Sequence, residues 1–139
     1  MHYSARFERD GDGWLVTFPA LPEAVTGGAN RDDALANAID ALEVTLLTYA
    51  GDGRELPPDV EKAGLEAIPI SATVSAKVAF IDAFRKSGLT RVALAKRLGK
   101  AENEVRRMLD PYYGTKLAAL EEAMHVLGKR FVLTVEEAA

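Results

Sequence analysis

The segment from Leu89 to Asp110 constrains the fold most, because its sequence, LTRVALAKRLGKAENEVRRMLD, specifies two short helices separated by a tight turn. Thr90 is placed to cap the first helix, since its hydroxyl can accept a hydrogen bond from a free amide of the first turn. Gly99 stands where that helix must stop, at a position that favours a residue able to adopt positive φ. A second helix is predicted from about Glu102 to Leu109, and Pro111 cannot continue it. The segment is therefore predicted to form a helix-turn-helix.

Each of these helices is expected to have one apolar and one polar face. Apolar side chains recur at helical spacing at Leu94, Ala95, Leu98, Val105, Met108 and Leu109. The second helix of such a motif enters the DNA major groove, where Arg matches guanine and Asn matches adenine. The residues predicted to bind DNA are Thr90, Lys96, Arg97, Lys100, Glu102, Asn103, Arg106 and Arg107. Within this set, Asn103, Arg106 and Arg107 are expected to read bases, and the basic residues from 96 to 100 to contact phosphate. The alternative is an ordinary helical hairpin with a solvated charged face.

The composition narrows the class of protein further. A chain of 139 residues with 48% hydrophobic and 27% charged residues is typical of a soluble globular protein with one medium domain or two small ones. The absence of cysteine excludes disulfides, thiolate metal sites and a cysteine nucleophile. Neither a signal peptide nor an apolar run of membrane-spanning length is expected, so a cytoplasmic location is the default.

The charge is distributed unevenly along the chain. Residues 1–70 contain 5 Lys and Arg against 13 Asp and Glu, a net charge of −8, whereas residues 71–139 contain 12 against 8, a net charge of +4. The basic half holds the predicted helix-turn-helix, as phosphate binding requires. The acidic half would repel DNA and attract a basic partner, although an acidic surface also serves solubility. Such asymmetry suggests two functions on one chain.

The first part of the chain has the patterns of short strands. Alternating apolar and polar side chains predict strands at 2–8 and 14–18, joined by a turn over 9–13 that is rich in Asp and Gly. A short third strand is predicted at 23–26, and Gly27-Gly28 is expected to end it.

A helix is predicted to cover this sheet. Asn30 is placed to cap it, with Asp33 in a capping-box-like position, and it runs to about Tyr49. Its apolar stripe is Leu35, Ala38, Ile39, Leu42, Leu46 and Leu47. Alternation over 68–74 predicts a fourth strand, which makes a β-β-β-α-β domain at 1–74 and an α+β fold. The predicted core of this domain is Phe7, Trp14, Val16, Phe18, Leu42, Leu46, Ile70 and Val74.

The second domain, at 75–139, is predicted to be helical apart from its last segment. Ser75 is expected to cap a helix from Ala76 to Ser87, and a further helix is predicted from Thr115 to Leu127. Residues 130–135 alternate again and predict a strand, which is not stable alone in water. A second copy of the chain could supply its neighbour, and a dimer would present two helix-turn-helix units to two DNA half-sites. The predicted dimerisation contacts are Phe131, Leu133 and Val135.

No arrangement of residues predicts catalysis, a metal site or a cofactor. A nuclease of the ribonuclease H type needs carboxylates that converge on divalent metal, whereas Asp10 and Asp12 lie in a hairpin turn, where charge is expected anyway. Gly27-Gly28 lacks the Lys-Ser/Thr that follows the glycines of a phosphate-binding loop. His2 lies at the chain end and His125 is flanked by apolar residues, so neither suggests a catalytic role.

Two long runs of the sequence resemble the HicB antitoxins of bacterial toxin–antitoxin pairs. The run YSARFERDGDGWLVTFPALPEAVTGGANRDDALANAIDALEVTL, at 3–46, is similar to that family's degraded ribonuclease H-like domain, with its strand hairpin, Pro-containing loop, valine strand ending in glycine and Ala-rich helix. The run LAKRLGKAENEVRRMLDPYYGTKLAALEEAMHVLGKRFVLTV, at 94–135, resembles the members that carry a Cro-like helix-turn-helix. Leu-Asp-Pro at 109–111 and Leu-Gly-Lys-Arg at 127–130 are its more specific features. The chain departs from the pattern at Pro22-Glu23 and Ala29-Asn30, where Gly after Pro and a Ser or Thr cap are expected.

The resemblance implies partners that periodicity does not show. HicB-like proteins bind a small basic HicA-like toxin, an mRNA-cleaving ribonuclease of double-stranded-RNA-binding fold, and block its catalytic histidine. They also repress their own operon through the C-terminal domain. The resemblance thus implies a non-enzymatic protein with two partners, the toxin and operator DNA. The toxin is expected to dock on the N-terminal sheet and the helix beginning near Arg31, where the acidic half could mimic the charge of RNA. The individual toxin-binding residues are not assigned.

Two alternatives remain open from the sequence. One is a stand-alone transcription regulator whose N-terminal domain senses a small ligand. The other is a residual nuclease that would depend on Asp10 or Asp12 and on a divalent metal.

Overall fold

The structure, a computed structural model that describes residues 1–138, combines a four-stranded antiparallel sheet with α-helices. The elements are β1 (His2–Asp10), β2 (Gly13–Thr17), β3 (Val25–Gly28), α1 (Arg31–Gly51), β4 (Glu66–Pro69), α2 (Ala72–Ser87), α3 (Arg91–Leu98), α4 (Glu102–Met108) and α5 (Leu117–Val126). The predicted mixed α+β class is confirmed. Across 1–138, no helix has both the length and the apolar character needed to cross a bilayer.

The sheet is built around β1, with the strand order β3-β2-β1-β4. β1 pairs with β2 in the predicted hairpin, from Arg6 opposite Thr17 to Asp10 opposite Gly13. The other end of β1 pairs with β4, which returns to the sheet after α1. Gly11 adopts a φ of 59° in the hairpin turn, a conformation that glycine adopts without steric cost.

The two glycines expected to end the third strand lie inside it instead. β3 continues through Gly27 and Gly28. Both positions require glycine because they pack too closely against their neighbours to carry a side chain. A Cβ at Gly27 would collide with the carbonyl oxygen of Trp14, and one at Gly28 would collide with the backbone of Ala34 in α1. On the outer side of this edge strand, the Asn37 amide donates to the Gly27 carbonyl at 2.7 Å.

The capping of α1 agrees with the sequence. The Asn30 side chain accepts a hydrogen bond from the Asp33 amide at 2.9 Å, and Asp33 receives a return bond from the Asn30 amide group. The helix runs slightly further than expected, to Gly51. Its buried face consists of Ala34, Ala38, Leu42, Leu46 and Tyr49. Leu35, which the apolar stripe included, is exposed because the sheet lies under Ala34 and Ala38 instead.

The boundary between β4 and α2 differs most from the prediction. The strand ends at Pro69, and Ser71, not Ser75, caps the next helix by accepting from the Val74 amide. The Ser75 amide donates to the Ser71 carbonyl at 2.9 Å, which is the bond of a helical turn. Residues 72–74 therefore belong to the helix. The sequence predicted a strand there because an alternating pattern this short does not distinguish a strand from a first helical turn.

The apolar side chains form two separate clusters. The first lies between the sheet and α1 and contains the expected Val16, Phe18, Leu42, Leu46 and Ile70, with Phe7, Trp14 and Val74 only partly buried at its margin. The second joins α2 to α3, α4 and α5. Val78 of α2 belongs to the first cluster and Phe80 to the second, so the expected domain boundary at residue 74 falls within a helix that serves both.

The C-terminal segment is not a strand in the single chain. Residues 129–138 form no helix or ladder, so the alternation over 130–135 does not correspond to a paired strand. Phe131 is half-buried against the second cluster, whereas Val132, Leu133 and Val135 are 81%, 75% and 93% exposed. The preceding helix also begins later than predicted, at Leu117 instead of Thr115, and Leu117 itself is half-exposed.

We expect Gly28→Ala to lower the free energy of unfolding by about 3 kcal/mol, because the added methyl group must push the first turn of α1 away from β3. Gly114→Ala is the matched control, since nothing lies within 4 Å of a Cβ at that position. Urea unfolding monitored by circular dichroism measures both. Equal stability of the two variants would contradict the close packing of β3 on α1.

Candidate nucleic-acid interface and partner-binding face

The helices α3 and α4 form the predicted tight pair. Thr90 caps α3 by accepting from the Ala93 amide at 3.0 Å, and Gly99 ends the helix with a φ of 65°. Leu94 of α3 and Val105 of α4 are completely buried and pack in the same cluster. The contacts of this cluster hold the two helices together and leave their polar faces in solvent.

The side chains predicted to bind DNA lie on this helix pair. Lys96 and Arg97 lie in the last turn of α3 and are exposed, and within residues 1–138 neither forms an ion pair. Asn103 is also exposed, near the start of α4. Thr90 uses its hydroxyl oxygen to cap α3, which leaves its hydroxyl proton available to another acceptor. These positions are accessible to a large ligand such as a duplex.

Part of the positive charge is already balanced within the pair. Lys100 lies 3.9 Å from carboxylate oxygens of both Glu104 and Glu122, and Arg106 lies 3.9 Å from Glu102. These are exposed or half-exposed contacts that contribute little to stability and can exchange for phosphate. Lys100 is therefore a weaker candidate for phosphate contact than Lys96 or Arg97.

Sequence reasoning missed two neighbours of the helix pair. The Arg107 guanidinium lies 5.9 Å from the centre of the Tyr113 ring, in the loop after α4. The side chain of Lys77, from α2, lies under the end of α4 and is buried. No local pattern marks Lys77, because its partners are about 30 residues further along the chain.

A cluster of aromatic and arginine side chains marks the start of α1 on the sheet. The Arg31 guanidinium lies 3.9 Å from the centre of the Phe7 ring and 5.2 Å from that of Trp14, and the Arg9 guanidinium lies 5.0 Å from the centre of Trp14. Arg31 also forms an ion pair with Glu66 of β4. The region where toxin docking was expected therefore carries partly exposed aromatic side chains in addition to its acidic charge.

A second polar cluster holds α1 to the loop before β3. The Tyr49 hydroxyl donates to Glu23 at 3.0 Å, and Arg54 donates to the other Glu23 oxygen at 3.0 Å. The hydrogen bond from Tyr49 lowers the pKa of Glu23, and the Arg54 contact acts in the same direction. Burial and the Glu23 contact raise the pKa of Tyr49. The cluster has a structural explanation and shows no sign of acid–base chemistry.

His2, Asp59 and Glu61 come together although the sequence suggested no metal cluster. Their ligand atoms lie within 4.8 Å of one another, close enough to hold a divalent cation. Asp59 already accepts hydrogen bonds from the Ser4 amide at 2.9 Å and the Ser4 hydroxyl at 2.8 Å. These bonds tie the loop to β1 where β2 has ended, and they account for the position of Asp59 without a cation.

The features required by the two alternative functions are weak. Asp10 and Asp12 lie at the exposed hairpin turn and belong to no group of three potential ligands among residues 1–138. A cavity of about 180 Å³ lies between α1, α2 and the loop 111–115. Small-molecule sites usually measure roughly 300–1,000 Å³, so this cavity does not favour ligand sensing.

Comparison with known proteins gives one consistent family for this chain. The family described as the HicB-like antitoxin of bacterial toxin–antitoxin systems matches residues 2–79. Antitoxin HicB 2 of Photorhabdus laumondii is 36% identical over 133 residues, which cover 96% of this chain and 95% of that protein. Antitoxin HicB of Pseudomonas fluorescens is 34% identical, with 94% of this chain and 90% of that protein covered, and antitoxin HicB of Escherichia coli is 32% identical, with 88% and 90% covered. All three relatives are named antitoxin HicB. The chain therefore belongs to the HicB-like antitoxin family.

Proposed function

We propose that this protein binds and neutralises a HicA-like mRNA-cleaving toxin and represses its own operon by binding operator DNA. The agreement with proteins named antitoxin HicB over at least 88% of the chain carries the first half of the proposal. The exposed basic face of α3 and α4 supports the second half. Both partners belong to the bacterial cytoplasm, which is where we propose that the protein acts.

The toxin is proposed to dock on the unit made of the sheet and α1. Residues 1–70 carry a net charge of −8, which complements a basic ribonuclease and competes with its RNA. Phe7, Trp14 and Arg31 add the aromatic and arginine side chains that commonly contribute most to protein interfaces. The β-β-β-α-β order of this unit also agrees with the ribonuclease H-like fold that the family resemblance implies.

Operator DNA is proposed to contact α3 and α4, which then form a Cro-like helix-turn-helix with α4 in the major groove. The exposed Asn103, Arg106 and Arg107 lie on α4 and would meet base edges. Lys96 and Arg97 lie at the end of α3 and would meet phosphate.

A homodimer is proposed to form through the C-terminal segment. Leu133 and Val135 are 75% and 93% exposed, and the polar Thr134 lies between them. Pairing of this segment with that of a second copy would bury them and supply the missing neighbour of a strand. The dimer would bring two copies of α4 to successive half-sites of the operator.

Co-expression of this chain with the adjacent open reading frame tests the toxin proposal. We expect a small basic protein to co-purify, to arrest growth when expressed alone, and to dissociate more readily at high salt because the contact is between opposite charges. The double variant Arg106→Ala, Arg107→Ala is the control, and it should retain the toxin because both substitutions lie outside the acidic unit. Purification of the chain alone, with growth unaffected by the neighbouring reading frame, would overturn the antitoxin proposal.

For DNA, we expect Arg106→Ala or Arg107→Ala to cost about 1–3 kcal/mol of operator affinity if the arginine contacts a base. Fluorescence anisotropy with the DNA upstream of the operon measures the loss. Lys62→Ala removes one positive charge from an exposed loop position and should leave the affinity unchanged.

Lys96→Ala and Arg97→Ala provide a contrast within the same surface. Because phosphate contacts carry no sequence information, these variants should weaken binding to operator and unrelated DNA alike and reduce the dependence of affinity on salt. Unchanged operator affinity in both arginine variants of α4 would show that another surface reads the DNA.

For the dimer, we expect Leu133→Asp to weaken self-association at least about tenfold, because it places a charge among apolar contacts. Thr134→Asp adds the same charge on the opposite face of the segment and is the matched control. Analytical ultracentrifugation of both variants and the unsubstituted chain gives the dissociation constants. A monomeric unsubstituted chain, or equal weakening by both variants, would contradict pairing through this face.

A further inference from the structure

Lys77 is a charged side chain buried in the interior. It lies in α2, is 5% exposed, and with Ser4 makes up the buried polar residues found across 1–138. Its Nζ donates to the Met108 carbonyl at 2.8 Å and to the Thr115 hydroxyl at 2.7 Å, and it lies 3.5 Å from the Arg107 carbonyl. The ammonium group therefore has partners for its three protons.

Two of these partners are backbone groups at the end of α4. The last carbonyls of a helix have no partner inside it and carry the negative end of its dipole, so a cation is favourable there. Lys77 supplies this cation from another helix. α4 has only seven residues and Ala101, at its N-cap, provides no side-chain hydrogen bond, so its direction depends on contacts from outside the helix.

The position of Lys77 connects α4 with the first half of the chain. The next residue, Val78, is completely buried in the cluster of the sheet and α1. A cavity of about 180 Å³ lies beside Lys77 and is lined by Leu47 of α1 and by the loop 111–115, so the Lys77 contact bridges a region that side chains do not fill completely. Apolar contact at Val105 holds α4 onto α3 but is not directional. The hydrogen bonds from Lys77 to two consecutive carbonyls of α4 are directional and can therefore fix the orientation of the helix.

Stability alone does not explain a lysine at this site. Burial lowers the pKa of Lys77, and the neighbouring Asp110 carboxylate only partly opposes this effect. The charged form therefore costs free energy in the folded state, and an apolar side chain of similar length would avoid this cost. A buried charge of this kind is better explained by the geometry it imposes than by the stability it adds.

We propose that Lys77 is a positioning residue for operator recognition, which sets the angle at which α4 presents Arg106 and Arg107 by holding the carbonyls of Arg107 and Met108. This inference rests on the proposed DNA binding of α4. It attributes part of the sequence specificity to a residue that does not itself touch DNA.

The variants Lys77→Met, Lys77→Arg and Lys62→Met test it in the full-length protein. Lys77→Met keeps the length of the side chain and removes its donors, Lys77→Arg keeps charge and donors, and Lys62→Met removes the same charge from an exposed loop. Affinities are measured for the DNA upstream of the operon and for an unrelated duplex of equal length. We expect Lys77→Met to lose at least about tenfold in affinity for the upstream DNA and less than about twofold for the unrelated duplex. Lys77→Arg should recover part of the loss, and Lys62→Met should show none.

Thr115→Val provides a milder test that does not depend on folding without Lys77. It removes one acceptor of the Lys77 ammonium and leaves the lysine in place, so it should lower the preference for the upstream DNA by a smaller factor. Unchanged preference in both Lys77→Met and Thr115→Val, or an equal loss on both duplexes, would overturn the positioning role. If the unsubstituted protein showed no preference for the upstream DNA, the proposed repression would fail and this inference with it.

Discussion

The packing of α2 against both hydrophobic clusters is the constraint on which the rest of the structure depends. Val78 and Phe80 are two residues apart in the helix and are both completely buried, one in each cluster. Residues with this spacing point in different directions from a helix, so a single element completes two cores. A bend or shift of α2 would therefore disturb the sheet unit and the helix pair together. The short connection between β4 and α2, through Ile70 and Ser71, leaves little room for independent movement.

Opposite charges on the two halves give this packing a functional consequence. The acidic sheet unit repels the same DNA that the basic helix pair is proposed to attract. The sheet unit and the helix pair both pack on α2. Repulsion between DNA and the acidic sheet unit would therefore influence how the whole chain is oriented relative to a duplex. The charge pattern would thus favour an approach to DNA in which α3 and α4 lie nearer the duplex than the acidic unit does.

Local signals in the sequence were sufficient for much of the fold. The caps at Asn30 and Thr90 and the stop at Gly99 could be predicted because each depends on hydrogen bonds or φ values within a few residues. Ser71 and Ser75 could not be distinguished, since either can cap a helix and the intervening pattern also fits a strand. The glycines of β3 are determined by α1, which packs against them from another part of the chain.

The candidate site shows the same division between local and distant effects. The exposed face of α4 follows from helical periodicity, so the exposure of Arg106 and Arg107 could be predicted. Lys77 could not, because its acceptors are carbonyls that every residue has and that only the tertiary fold brings near. The proximity of His2 to Asp59 likewise depends on a loop that returns to the first strand after more than 50 residues. The prediction of a C-terminal strand was wrong for another reason, because alternation of apolar and polar residues also fits an extended segment that pairs with no strand.

The hydrogen bond from Asn37 to Gly27 has a consequence for how any partner can approach the sheet. A carbonyl on the outer side of an edge strand would normally be an open acceptor that invites another strand to join the ladder. Here a side chain of the same chain already occupies it. At the opposite edge, Ile70 donates its amide inward to Met1, while Pro69 has no amide to offer. One position on each edge of the sheet is thus closed to an added strand, and a partner that contacts side chains on the faces of the sheet and on the adjoining helix avoids this restriction.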